Sequence, residues 1–277
     1  MDTTENEIQT LRHELDALRN ENIALHNELV KQNKILFEQV ISIGKELANQ
    51  QKNQQNHLQR VIEFYGGACP VGHDNLRMQL QRLAGMQTAE FIAKNMVAVK
   101  SFGDRINQLK YAVAQATGGG YLEFGVFRGN TINIISEMIP DKIVYGFDAF
   151  EGLPEDWLYY SPKGDFSLNG NAPQVNPNVR LIKGWFNETL PDFVKAHSEP
   201  CAFIHVDCDL YSSTKTIFDN LKNQIVSGTV IVFDEYFNYP GWQEGEYKAF
   251  MEFITENNLE FKYISRTDWS QVAVKIK

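Results

Sequence analysis

Two short stretches of the chain bring four carboxylates together at close spacing. Phe203-Ile-His-Val-Asp207-Cys-Asp209-Leu-Tyr211 sets Asp207 and Asp209 two residues apart, and Val230-Ile-Val-Phe-Asp234-Glu235-Tyr adds two more acids. In each stretch an apolar run that reads as a strand precedes the acids. Where the strand persists, Asp207 and Asp209 share a side. The four groups then converge at the C-terminal edge of a sheet, where open α/β folds bind ligands. So many anions in one cleft repel, and protons or a cation must relieve them. Oxygen donors without Cys or paired His suit Mg²⁺, with Mn²⁺ or Ca²⁺ as alternatives. Scattered helix-capping acids are the plain alternative.

A second constellation lies upstream. Glu123-Phe-Gly125-Val-Phe-Arg-Gly129-Asn-Thr ends the first predicted strand of the alternating region and opens its first helix. Glycines at such a junction let a ligand approach backbone N–H groups at a helix N-terminus. The spacing is not the dinucleotide G-x-G-x-x-G, because Phe127 stands where the second glycine would be and a pyrophosphate would meet its side chain. A tight strand-to-helix turn would also explain Gly125. Asp148 ends the next predicted strand, where an acid can accept both hydroxyls of a ribose; a capping role is the alternative.

Short apolar runs alternating with helical periodicity after Gly118-Gly119-Gly120 would position these residues, as expected for a parallel sheet with crossover helices. Strands are predicted at about 121–126, 143–148, 178–183, 201–207, 229–234, 261–265 and 271–276, and helices near 130–139, 187–197, 212–226 and 245–257. The last two strands have no helix between them, so a terminal hairpin makes the final strand antiparallel. Residues 118–277 form the predicted catalytic domain. Between the second and third strands, Glu151-Gly-Leu-Pro-Glu-Asp-Trp157 begins a long interruption ending near Pro177. Loops of that length are usually functional, and Trp157, Tyr159 and Tyr160 are expected over a ligand face or packed beneath the loop.

The N-terminal part follows another rule. Ile8, Leu15, Asn22, Leu29, Leu36 and Ile43 fall at heptad position a, with Leu11, Leu18 and Leu25 at d, the seam of a coiled coil. Glu7, Glu14, Glu21 and Glu28 fall at g and Arg12 and Arg19 at e, which sets Glu7 opposite Arg12 and Glu14 opposite Arg19 of a parallel mate, and Asn22 favours two strands in fixed register. After Leu29 the d positions become Gln32, Gln39 and Glu46, so the seam weakens. A homo-oligomer is expected, against a solvated amphipathic helix lying on its own domain. The coiled coil and a Gln/Asn-rich linker occupy 1–60, and 61–117, broken at Gly66-Gly67 and Pro70, reads as a helical cap leading into the catalytic domain.

The 277 residues, 43% apolar, are enough for one catalytic-sized domain and an accessory segment. A net charge of −9 disfavours nucleic acid and anionic membranes, which require clustered Lys and Arg. With no signal-like N-terminus and no apolar run of spanning length, a cytoplasmic protein is expected. Three cysteines without a C-x-x-C pair give neither a disulfide framework nor zinc ligation, and Cys69 with His73 supplies only two of the four ligands structural zinc needs.

Four blocks, Tyr121-Leu-Glu-Phe-Gly-Val-Phe-Arg-Gly, Gly146-Phe-Asp-Ala-Phe-Glu-Gly-Leu-Pro, Ile204-His-Val-Asp-Cys-Asp-Leu-Tyr and Phe233-Asp-Glu-Tyr, occur in this order. Over about Tyr121 to Tyr236 the chain resembles the macrocin-type sugar O-methyltransferases of macrolide and aminocoumarin antibiotic biosynthesis. The resemblance implies a Rossmann-like seven-strand α/β methyltransferase sheet and an S-adenosylmethionine site around Glu123, Gly125 and Asp148, with Gly129 closing the glycine motif. It also implies a divalent metal held by Asp207, Asp234 and Glu235, and Asp209 as general base. The chain departs from the family pattern at Glu235, where a second Asp is usual; the heptad segment is not part of the resemblance. The implied reaction is methyl transfer to a hydroxyl of a sugar, glycan or other polyol. An inactive methyltransferase-fold scaffold that assembles partners and a nicotinamide-dependent oxidoreductase are the alternatives; the missing middle glycine and the clustered acids speak against the latter.

Overall fold

The computed structural model describes residues 76–277 together with residues 19, 21, 22, 25, 26, 28–37 and 39–45. The chain divides into two compact units, Met1–Asp74 and Asn75–Lys277. In the first, the described residues are helical. Asn22, Leu25, Leu29, Leu36 and Ile43 of the predicted seam are all exposed there. Ile8, Leu11, Leu15, Leu18, the Glu7–Arg12 pairing, the linker and the Cys69/His73 pair lie outside the described residues.

The second unit runs α1 (Leu76–Asn95), β1 (Lys100–Phe102), α2 (Arg105–Val113), β2 (Gly120–Phe124), α3 (Asn130–Met138), β3 (Val144–Asp148) and β4 (Val179–Lys183). It continues with α4 (Phe186–Ala196), β5 (Cys201–Val206), α5 (Tyr211–Leu221), β6 (Val230–Phe233), α6 (Glu246–Glu256), β7 (Phe261–Thr267) and β8 (Val272–Ile276). The strands form one sheet in the order β1-β7-β8-β6-β5-β2-β3-β4. Only β8 runs antiparallel, to both β6 and β7, as the helix-free connection requires. The expected seven strands become eight. The addition, β1, pairs parallel with β7 at the sheet edge, and its three residues, two exposed and one half-buried, are too few to show a period. It lies within 61–117, as does α2, which packs against α3 and the sheet.

Strand alternation sends side chains to opposite faces. Phe124, Ile204, Val206 and Phe233 join one apolar layer with Ile217, Phe218 and Phe250 of α5 and α6. Tyr121, Phe203, Val232 and Ala273 join the other with Leu109, Ala112, Ile132 and Ile135 of α2 and α3. Central β5, CAFIHV, is buried along its whole length. The connection between β3 and β4 contains no α-helix; it is a long loop, pinned by hydrogen bonds of Leu168 and Gly170 N–H to the Phe150 carbonyl.

Candidate active site

The four acids sit where strands β5 and β6 stop. Strand β5 ends at Val206, so Asp207 and Asp209 belong to the turn that follows rather than to a continuing strand. Asp209 takes a left-handed conformation (φ 64°), and Leu210 N–H donates to the Cys208 carbonyl across it at 2.7 Å. Asp tolerates this region better than most residues. The tight turn, not strand alternation, brings its carboxylate to the cluster. Oxygens of Asp207, Asp209 and Glu235 lie within 4.8 Å of one another, and so do atoms of His205, Asp207 and Asp234.

Burial makes this cluster electrostatically costly. Asp209 is pushed up to about 7 by burial and then by the charge of Asp234, while a hydrogen bond with Glu235 works the other way. Burial first, then Asp234, drives Asp207 and Glu235 well above the usual carboxylate range. A fifth acid that the sequence pattern did not reveal, Glu246 at the start of α6, is fully buried and likewise raised, by burial and by Asp209 and Asp207. One Glu246 carboxylate oxygen accepts from Glu235 N–H at 3.3 Å. Its other oxygen and Glu235 Oε2 are buried with no partner. Two buried carboxylate oxygens without a donor fit a site completed by a cation.

Some countercharge is present. Arg105, at the start of α2, places its guanidinium 3.3 Å from Asp234 Oδ2, and Gln271 Nε2 donates to the same oxygen at 3.2 Å. Neither residue stood out in the sequence, because they belong to an edge helix and the terminal hairpin. The cluster opens into a cavity of about 590 Å³, in the range of small-molecule sites. Its lining also holds Gly125, Phe127, Asp148, Leu153 and Trp157. Trp157 reaches the cavity and meets Tyr239 edge-on at 5.5 Å. Tyr159 and Tyr160 are half-exposed outside the lining, Tyr159 beneath the Arg77 guanidinium at 4.3 Å.

The glycine-motif residues separate into two groups. Gly125 lines the cavity (φ 90°), and a Cβ there would collide with the Asp207 carbonyl, so the glycine is required by the close approach of the β2 and β5 ends. Asp148 also lines the cavity, but its carboxylate is already occupied. Oδ2 accepts from Val126 and Phe127 N–H, both at 2.8 Å, and Oδ1 from Phe150 N–H at 2.6 Å. These bonds hold Phe127 and Phe150 at positive φ (46° and 58°), a region bulky residues avoid. Glu123 and Gly129 do not line the cavity. Gly129 caps α3 with φ 79°. Glu123 points to the α2/α3 face, where it accepts from Thr131 Oγ1 at 3.1 Å and meets His205 Nδ1 at 2.9 Å. Register explains the meeting, since Glu123 and His205 are directly paired on adjacent strands. Burial, the largest influence on His205, opposes its charge, yet the Glu123 hydrogen bond and charge raise it to about 9.

A family profile described as TylF, macrocin-O-methyltransferase, matches residues 28–275. The match starts inside the heptad segment, far upstream of the four sequence blocks. A tetracenomycin-C rhamnosyl 4'-O-methyltransferase of Streptomyces olivaceus is 27% identical over 52% of this chain and 63% of its own length. The chain thus spans less than two thirds of that relative. A demethyldecarbamoylnovobiocin O-methyltransferase of Streptomyces niveus is 25% identical over 59% of the chain and 71% of its own length. Among solved structures, a calicheamicin methyltransferase superposes with a TM-score of 0.52 at 18% identity, covering 73% of this chain and 94% of that one, which shows the fold. Among the described residues no helix is long and apolar enough to cross a membrane.

Proposed function

Because this chain belongs to the TylF macrocin-O-methyltransferase family, we propose that it transfers the methyl group of S-adenosylmethionine to a hydroxyl of a sugar or similar polyol. The observation that carries the reading is the cavity itself, whose lining unites Gly125, Phe127 and Asp148 with Asp207, Asp209, Asp234 and Glu235. A cofactor seated against Gly125, Phe127 and Asp148 would present its sulfonium methyl toward the acids. The acceptor oxygen attacks that methyl carbon as the carbon–sulfur bond breaks, giving a methyl ether and S-adenosylhomocysteine. The hydroxyl proton goes to Asp209, the general base, whose carboxylate opens into the cavity. A divalent cation held by Asp207, Asp234 and Glu235 would acidify and orient the acceptor hydroxyls when bound. Glu235, where the family pattern has Asp, donates its backbone N–H to Glu246.

In this reading the heptad segment joins two copies in parallel, supported by the exposure of Leu25, Leu29, Leu36 and Ile43 on described helical residues. Residues 1–60, 61–117 and 118–277 then serve as oligomerisation segment and linker, lead-in, and catalytic part. Calorimetric titration with S-adenosylmethionine, followed by mass-spectrometric screening of polyol acceptors, tests the activity. Micromolar binding and a mass gain of one methyl group on a sugar hydroxyl are expected; absence of binding by the folded protein would remove the reading. Sedimentation equilibrium of the full chain should report a dimer.

A further inference from the structure

The reading above places a divalent cation among oxygen donors. The geometry points to His205 as a nitrogen ligand of that cation, with Glu123 as the carboxylate that orients it. This inference rests on the metal site of the proposed function and changes its chemistry.

Strand β5 is apolar except for His205, and the imidazole and Glu123 are buried to 1% and 0% exposure. A side chain kept only for packing would be apolar here, since a buried polar pair is tolerated only when its atoms are satisfied. Nδ1 meets Glu123 Oε2 at 2.9 Å, and a carboxylate accepts, so Nδ1 keeps its hydrogen; a cation that takes the place of the proton on Nε2 would find that nitrogen as its donor. Glu123 is itself fixed by Thr131 through its other oxygen.

Nε2 faces Asp234 Oδ1 at 4.0 Å. That is too long for a hydrogen bond, yet within twice a metal–ligand bond of about 2.0–2.2 Å. Asp234 is oriented for the same purpose: Oδ2 is held by Arg105 and Gln271, and Oδ1 is turned to the imidazole. Asp207 completes a set whose donor atoms lie within 4.8 Å of one another. Glu235, whose Oε2 is enclosed and unpartnered, forms the adjoining triad with Asp207 and Asp209. A ligating histidine characteristically donates its second ring N–H to a carboxylate, which sets its tautomer and strengthens it as a ligand. Glu123–His205 has that arrangement. An imidazole among carboxylates suits a first-row transition ion such as Mn²⁺ better than Mg²⁺, which favours oxygen and retains water.

Pulsed electron paramagnetic resonance of the Mn²⁺-loaded full chain, with Mn²⁺ and Mg²⁺ affinities from calorimetry, tests this. Wild type should show the nitrogen hyperfine coupling of a directly bound imidazole and should bind Mn²⁺ more tightly than Mg²⁺. In H205Q the coupling should vanish and the preference for Mn²⁺ should narrow. In E123Q the coupling should remain while Mn²⁺ affinity drops roughly 10–100-fold. Mn²⁺ bound to wild type without nitrogen coupling would overturn the inference and leave the oxygen-ligated site standing. Coupling that persists in H205Q would overturn it too. Failure of wild type to bind any divalent ion would instead remove the metal site of the proposed function. The wild-type spectrum decides even where H205Q does not fold.

Discussion

Asp148 and Glu235 both line the cavity, but their carboxylates live in opposite circumstances. Asp148 accepts three backbone N–H bonds, two from the turn after β2 and one from Phe150 in its own loop. Glu235 is half-buried among Asp207, Asp209, Asp234 and Glu246, with its Oε2 enclosed and left without a partner. One wall is internally complete and preformed; the other stays electrostatically unsatisfied until something positive or a proton arrives. Unpaired buried atoms mark where ligand chemistry is to be found, and saturated ones mark scaffold. Substitutions on the acid wall should therefore damage chemistry and leave the fold, whereas those on the loop wall should damage the fold and affect the cofactor through it.

The largest effect is expected at Asp209. D209N leaves the shape of the turn but supplies an amide that cannot take a proton, so turnover should drop roughly 10²–10⁴-fold, and added metal should not restore it. Since catalysis uses the ionised form and Asp209 sits at about 7, wild-type activity should fall as pH drops through that region, with the midpoint moved lower by a bound cation. The limb should be absent in D209N. D207N, by contrast, removes an anionic ligand, and raised Mg²⁺ or substituted Mn²⁺ should recover part of its activity. Rescue of D209N by metal, or none for D207N, would exchange the two roles.

Next is the stability of the acid wall itself. Asp209, Asp207, Glu235 and Glu246 all have carboxyl groups raised above their ordinary values. A raised carboxyl favours the folded state while protonated, so this contribution is fully present below about pH 4 and is lost as pH climbs toward 7 and beyond. A cation reverses the loss. At a metal concentration 100 times the dissociation constant, binding adds about 2.7 kcal/mol, or a Tm gain of about 5–10 °C for a domain of this size. Calorimetric scans with and without Mn²⁺ should show the larger gain at pH 8 and little at pH 5. Equal gains at both would mean that the cluster is not where the metal acts.

The legibility of these two walls in the sequence differs for physical reasons. Apolar runs and glycine breaks are local signals, so β2 to β8, the antiparallel β8 and helices α3 to α6 could be read directly. Strand β1 could not, because three largely exposed residues carry no period and their pairing with β7 is a tertiary event. The four acids announced themselves by local spacing, although the turn at Asp209, not strand alternation, unites them. Arg105, Gln271 and Glu246 were invisible as site residues because each belongs to another element and meets the acids only once the sheet is folded, while His205, two residues before Asp207, reads as part of an apolar strand. The resemblance assigns Glu123 to the cofactor, whereas the parity of β2 turns its side chain to the α2/α3 face beside His205 and Thr131.

Asp148 offers the smallest effect and the most direct probe of the loop wall. As a ribose ligand alone, its loss would weaken S-adenosylmethionine binding and leave stability unchanged. The structure instead gives its carboxylate three backbone donors, two of them on Val126 and Phe127, and Phe127 is held at φ 46°. Hydrogen bonds to a charged group contribute about 1.5–3 kcal/mol each where solvent is excluded. Asp148 is only half-buried and the three bonds share one group, so D148A should cost about 2–4 kcal/mol in all. That corresponds to a Tm lower by roughly 5–15 °C. Cofactor affinity should fall as well, because released N–H groups let Phe127 leave its strained conformation and swing into the space the cofactor needs. Pairing D148A with F127G separates the two contributions. Glycine adopts positive φ without strain, so F127G should recover part of the stability that D148A loses, and any affinity still missing measures the direct contact to the cofactor. Unchanged Tm in D148A together with weakened binding would make Asp148 a ligand contact rather than a brace, and the contrast between the two walls would disappear.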